Sequence, residues 1–322
     1  MRNVFLRENT ARDINDLVAR VLRDLGNPEP PLDLNLVREL LRLDRHYYSS
    51  TDDGALREVA HRLIIAGKQV LARPSLLKDA IKKWDLRALF VPDRKRILID
   101  SNLPSPKQRW VEGHEIGHSL IPWHLATMLG DNKGTLTPAC HEKIENEANF
   151  AAGQLLFFQE AFINDARDLA VGLSGIQTLK KRYGNTITTT LWRYVEQSES
   201  PMLGGISDHP HRPTAEFDPK NPFRYFVGSK AFQTRFSRTQ DTEIFNLMRR
   251  YCANRRGGPL GASDLLLSDD NGDSHIFHFE TFYNQYDALT LGIYRQAQNL
   301  TMAVPFKANS FVAPKFPLNR KN

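Results

Sequence analysis

The five residues His114-Glu115-Ile116-Gly117-His118 constrain this chain more than any other stretch, because their chemistry works only on a helix. On an α-helix, histidines four apart lie on one face about a turn from each other, so both imidazoles reach a single tetrahedral cation. Glu115 stands beside them, off the ligand axis, where a carboxylate takes a proton from an activated water without coordinating the metal. The spacing therefore predicts a zinc peptidase site, with His114 and His118 as ligands and Glu115 as general base. With 10 histidines in 322 residues the pattern arises by chance roughly 0.015 times, so an incidental helix explains it poorly. Ile116 and Leu120 bracket Gly117 at helical spacing. A glycine there costs the helix about 0.5–1 kcal/mol, which is better explained as room for a closely packed neighbour than as drift.

A second helix is predicted from His141 to about Phe157, with Ile144, Ala148, Ala151, Ala152, Leu155 and Leu156 as its buried face. Glu145 and Asn149 are four apart on it. That pairing lets a carboxylate ligate the metal while the amide hydrogen-bonds a ligating histidine. Upstream, Ala88–Val91 and Ile97–Asp100 flank a charged turn and read as a hairpin, a candidate edge for holding an extended substrate.

The remaining chain reads as packing elements. Helices are expected at Thr10–Leu25, stopped by Gly26, and at Leu34–Leu43, capped by Asp33 or Asn35. Leu56–Lys83 has a mostly helical pattern, and Pro122 must end or kink the motif helix. Gly175–Tyr183 and Thr186–Gln197 form a helix pair around Gly184-Asn185, with Lys180, Lys181, Arg182 and Arg193 as a basic edge. Beyond the Pro-, Gly- and Ser-rich segment 198–213, strands are expected at Met202–Ser207, Phe223–Val227, Ala262–Ser268, His275–Phe282 and Ala288–Tyr294. A helix is expected at Glu243–Cys252, and Asn271-Gly272 signals a hairpin. His275 and His278 fall on opposite faces of their strand, which argues against a second metal site.

Composition sets the compartment. Residues Met1–Leu17 are charged throughout, and no run of the sequence is apolar for long enough to span a bilayer, so a cytoplasmic protein without a membrane partner is expected. Two cysteines, Cys140 and Cys252, exclude a disulfide framework and agree with a reducing compartment. A net charge of +6, spread over 43 basic and 37 acidic residues, does not distinguish solubility from an acidic partner.

The motif helix, Ile97-Leu-Ile-Asp-Ser and Gln108-Arg-Trp before it, and Ile144-Glu-Asn-Glu-Ala-Asn-Phe-Ala-Ala after it together resemble the ImmA/IrrE family of zinc metallopeptidases. The likeness covers about Ile97 to Leu156 well and the N-terminal helices loosely. It implies a gluzincin-like zinc endopeptidase with Zn2+ on His114, His118 and Glu145, Glu115 as catalytic base and Asn149 behind a ligand. Glu142, which has Asn146 four residues on, and Glu147 compete as third ligand, and alignment with the family's Glu-x-Glu-Ala-Asn run favours Glu145. Glu112 and Phe157-Phe158 depart from the family pattern and bear on the cleft's shape. The oxyanion-stabilising residue stays open among His124, His141, His209 and His211.

The expected architecture is α+β: a mainly helical zincin-like peptidase core with a small sheet at 1–170, a helix-turn-helix-like segment at 171–200, and a C-terminal α+β domain at 201–322, sensory or partner-binding. The resemblance implies a protein substrate, a helix-turn-helix transcriptional repressor cut to release stress-response or mobile-element genes. The alternatives are a non-catalytic regulator that binds DNA or a repressor, DNA contact being the weaker reading, and a toxin–antitoxin component.

Overall fold

The computed structural model describes residues 2–48, 88–91, 95–124 and 138–297. The helical pattern at Leu56–Lys83 lies outside them. The first helix, α1 (Glu8–Asp24), buries Ile14, Val18, Val21 and Leu22, the stripe its periodicity requires, and the chain leaves it through Gly26 at φ +79°. In α2 (Leu34–Leu41) the Asp33 side chain accepts the Asn35 N–H, and Arg42 closes the helix in the left-handed region. That left-handed residue stops α2 before Leu43 and turns the chain into β1 (Asp44–Tyr48).

Strands β1, β2 (Ala88–Val91) and β3 (Arg96–Asp100) form a small sheet in the order β1-β3-β2. The predicted hairpin is present as the antiparallel β2–β3 pair, while β1 runs parallel to β3, a pairing the polar Asp-Arg-His-Tyr-Tyr segment does not advertise. Ile97, Leu98 and Ile99 of β3 are buried, and the sheet lies against the motif helix α3 (Ser105–Leu120). Pro106 in its first turn presets helical φ, and Pro122 drives Ile121 to extended backbone, so α3 stops at Leu120.

Helix α3 packs on α4 (Pro138–Leu156) at very short range. All six apolar residues expected on the inner face of α4 are buried there. Gly117 has no Cβ because one would lie 2.7 Å from the Ala148 carbonyl oxygen and 3.3 Å from Ala151 Cβ. Four residues earlier, a Cβ on Gly113 would meet Leu156 Cδ1 at 2.8 Å. After α4, Phe157 and Phe158 turn into an aromatic cluster with Phe162 of α5 (Glu160–Arg167) and Tyr183. They lie more than about 15 Å along the helix from Glu145, so this departure from the family pattern shapes the core and not the cleft.

Glu112, the other departure, is buried on α3 between two cations: Arg38 Nε at 2.7 Å and Arg45 Nη1 at 3.0 Å. It clamps the motif helix to α2 and β1. Removing one member of such a cluster strands the others, at about 3–5 kcal/mol when all are fully buried. Both guanidiniums keep some solvent, so Glu112→Ala is expected to lose about 2 kcal/mol in urea unfolding. An unchanged midpoint would mean that the clamp contributes nothing.

Helices α6 (Leu173–Tyr183) and α7 (Ile187–Glu196) follow, joined through Gly184 at φ +64° and capped by Thr186, whose side chain accepts the Thr189 N–H. Strands β4 (Met202–Ser207), β5 (Phe223–Gly228), β6 (Gly258–Ser268), β7 (Ser274–Tyr283) and β8 (Ala288–Ala297) form an antiparallel sheet, ordered β5-β4-β8-β7-β6. Helices α6 and α7 pack on this sheet, as do α8 (Lys230–Arg235) and α9 (Asp241–Tyr251). The fold is thus α+β as expected. One apolar core runs from Ile14 through Ile116, Leu155 and Leu191 to Ile206 and Ile293, and a second gathers Phe232, Ile244 and Met248 against Phe277 and Phe279.

This packing decides what α7 can do. None of its residues is exposed, and Leu191, Tyr194 and Val195 are buried. Arg193, expected on a basic edge, is instead buried beside Gln154 and Glu196. A recognition helix must enter the major groove with its side chains free, and α7 has no such face. The exposed cations Lys180, Lys181 and Arg182 sit in the last turn of α6, where they complement the helix dipole, and Arg182 pairs with Asp165 at 2.7 Å.

Candidate metal centre

The two packed helices bring His114, His118 and Glu145 together, with one ligand atom from each within 4.8 Å of the others. His114 Nε2 is 3.1 Å from His118 Nε2 and 3.1 Å from Glu145 Oε2, and His118 Nε2 is 3.5 Å from Glu145 Oε1. The exposed Asn149 places its Oδ1 3.0 Å from His114 Nδ1, one turn beyond Glu145 as the spacing predicts. Glu142, a competing third ligand, is exposed and belongs to no such group among the described residues. Glu147, the other competitor, bonds Trp123 and His124 instead.

With both imidazoles presenting lone pairs, as ligation requires, the converging atoms would need a positive charge between them. Four ligands at about 2.0–2.1 Å in a tetrahedron stand about 3.3 Å from one another. The observed spacings of 3.1–3.5 Å, with Glu145 reaching His114 through Oε2 and His118 through Oε1, bracket that value, so the donor set fits a zinc-sized tetrahedral ion. The three side chains also bind one another electrostatically. Burial alone would depress His114, but its hydrogen bond to Glu145 and the charges of Glu115 and Glu145 outweigh that and raise its pKa. Burial alone would raise the Glu145 carboxyl, yet hydrogen bonds from His114 and His118, with their charges, hold it below the usual carboxylate range. Glu115 is buried on α3 beside the first histidine.

Burial is graded across the centre. Glu145 and Asn149 reach solvent, His114 is half-buried, and His118, His124 and Glu147 are buried. His124 does not face an incoming substrate: its Nδ1 lies 3.1 Å from His118 Nδ1, and its Nε2 lies 2.9 Å from Glu147 Oε2. Burial pushes its pKa down to about 4, against the pull of Glu147. The half-exposed Trp123 donates its Nε1–H to the same Glu147 oxygen at 2.6 Å. Of the other histidines weighed for the oxyanion, His209 Nε2 is bonded to the Arg255 carbonyl and His211 Nε2 to the Cys252 carbonyl, both structural roles. The side chains of His141 and Cys140 lie outside the described residues. His275 and His278 take opposite faces of β7 as expected. No helix among the described residues is long and apolar enough to cross a membrane.

Residues 72–193 match the family model Peptidase_M78, described as the IrrE N-terminal-like domain. The matched span contains the three converging side chains and extends through α6 and most of α7. No curated protein matches the chain. Among solved structures the chain is similar to a Mycobacterium tuberculosis transcriptional regulator, at 13% identity and a TM-score of 0.48 over 88% of each chain.

Proposed function

We propose that this chain, whose residues 72–193 match the IrrE N-terminal-like domain model, is a zinc-dependent endopeptidase acting on a protein substrate, a helix-turn-helix transcriptional repressor. The observation that carries the reading is the convergence of His114 Nε2 and His118 Nε2, 3.1 Å apart, on the Glu145 carboxylate, whose Oε2 lies 3.1 Å from the first and whose Oε1 lies 3.5 Å from the second. A bound zinc ion would lower the pKa of water to about 7 and polarise the scissile carbonyl. Glu115 accepts the proton of the attacking water and returns it to the leaving amine. Asn149 and Glu145, at the solvent-facing rim, define the side from which the substrate enters. In this reading residues 1–170 carry the chemistry, 171–200 pack on the five-stranded sheet, and 201–322 sense a signal or dock the partner. The protein acts in the cytoplasm. The burial of α7 weighs against DNA as the partner.

The purified chain is expected to hold about one zinc, and His114→Ala, His118→Ala and Glu145→Ala each to lower that occupancy, while Glu142→Ala stays loaded. The test of function incubates zinc-loaded protein with a repressor encoded beside it, follows the repressor by mass spectrometry, and repeats the reaction after chelation and after zinc is restored. Cleavage that disappears with chelation and returns with zinc supports the reading. A full-length repressor in every arm removes it.

A further inference from the structure

The buried pair Glu147 and His124 has no part in the steps above, yet His124 contacts the proposed ligand His118 about as closely as Asn149 contacts His114. Glu147 is 1% exposed, and its Oε2 receives both Trp123 Nε1–H at 2.6 Å and His124 Nε2 at 2.9 Å. Lys143 Nζ lies 3.7 Å from its other oxygen and supplies the opposite charge. Glu147 stands two positions beyond Glu145 on α4, so the two side chains leave the helix in different directions.

We propose that Glu147 and His124 form a fixed-polarity relay that sets the tautomer of His118 and aims its Nε2 at the metal, making His124 a positioning residue for that ligand. The direction follows from donor and acceptor rules. A carboxylate only accepts, so the His124 nitrogen facing it, Nε2, carries a proton. A neutral imidazole has one N–H, so His124 Nδ1 presents a lone pair. His118 Nδ1, 3.1 Å away, must then donate, and a neutral His118 keeps its only free lone pair on Nε2, the nitrogen 3.1 Å from His114 Nε2 and 3.5 Å from Glu145. On the other imidazole the Asn149 oxygen asks the same of His114 Nδ1. Both ligands are thereby locked from behind with Nε2 forward. The loop that carries His124 is held in place by its own turn, His124 N–H to the Ile121 carbonyl at 3.0 Å, and by Trp123 on the shared oxygen.

This inference rests on the zinc reading, and its test separates the two. Zinc affinity of the full chain is measured by chelator competition for the wild type, His124→Phe and His124→Gln. Removing the acceptor with phenylalanine is expected to weaken zinc binding about 10- to 100-fold. Glutamine offers a carbonyl oxygen to His118 Nδ1–H and should recover most of the loss, which a purely space-filling role would not produce. A His124→Phe affinity within about twofold of wild type, or equal losses in both variants, overturns the relay while the zinc reading stands. A wild type that takes up no zinc overturns both. Nitrogen-15 spectra of histidine-labelled, zinc-loaded wild type need no folded variant: they should show His124 protonated at Nε2 alone, and His124 protonated at Nδ1 overturns the relay.

Discussion

Glu115→Gln is expected to keep its zinc and lose its peptidase activity by at least about two orders of magnitude, the low end of what a positioned general base contributes. The substitution preserves the size of a buried side chain on α3 and leaves His114, His118 and Glu145 untouched, so both fold and metal should survive it. An amide cannot take the proton of the attacking water, and nothing else described at the centre replaces that carboxylate. Glu145 is engaged by both imidazoles, and Glu147 lies behind His124. The measurement pairs zinc content with repressor cleavage and with expression from the repressor's promoter. Wild type should give a fragment and derepression, and the glutamine variant neither, at equal zinc. A glutamine variant that derepresses as fully as wild type, with no fragment in either sample, would replace the enzyme with a binding protein.

What the sequence reveals about this centre divides along the range of the contacts. His114 with His118 and Glu145 with Asn149 are both pairs four apart, and helical periodicity alone puts each on one face. The apolar face of α4 is legible for the same reason. The relay is not. His124 reaches His118 only because Pro122 ends α3 at Leu120, and the Glu147 contact spans 23 residues of chain whose path no local pattern encodes. The histidine therefore reads as an oxyanion candidate and the glutamate as a rival ligand until both are seen in space. Helix α7 misleads in another way. Its sequence looks like the second half of a DNA-binding pair, but whether a helix lies in a groove or on a sheet depends on β4 and β5, which come later in the chain. Parallel pairing of β1 with β3 is likewise non-local, and its five residues are too polar to signal a strand.

Gly117→Ala tests whether helix contact, and not ligand identity alone, builds the centre. Two effects of opposite sign compete. Alanine favours helix over glycine by about 0.8–1.0 kcal/mol, so on an open face this change would stabilise the chain. Here the new Cβ would lie 2.7 Å from the Ala148 carbonyl oxygen, a backbone atom that moves only if α4 moves, and 3.3 Å from Ala151 Cβ. Overpacking of this kind costs about 1–3 kcal/mol, so clash offsets propensity and leaves a net loss of up to about 2 kcal/mol. The larger consequence falls on the metal. Ala148 lies between Glu145 and Asn149 in sequence, so pushing it away from α3 lengthens the 3.1 Å and 3.5 Å separations of the Glu145 carboxylate from the two imidazoles. Bond lengths of about 2.0–2.1 Å tolerate little of that, and zinc affinity should fall at least about tenfold with every ligand still present. Gly113→Ala is the matched control on the same helix. Its Cβ would meet the far end of a side chain, Leu156 Cδ1 at 2.8 Å, which can rotate aside without moving α4. Chemical unfolding and chelator competition on both variants should therefore rank Gly117→Ala well below Gly113→Ala. If Gly117→Ala instead raises stability as an exposed glycine would, with zinc affinity unchanged, the close approach of α3 and α4 is not what sets the spacing of the ligands.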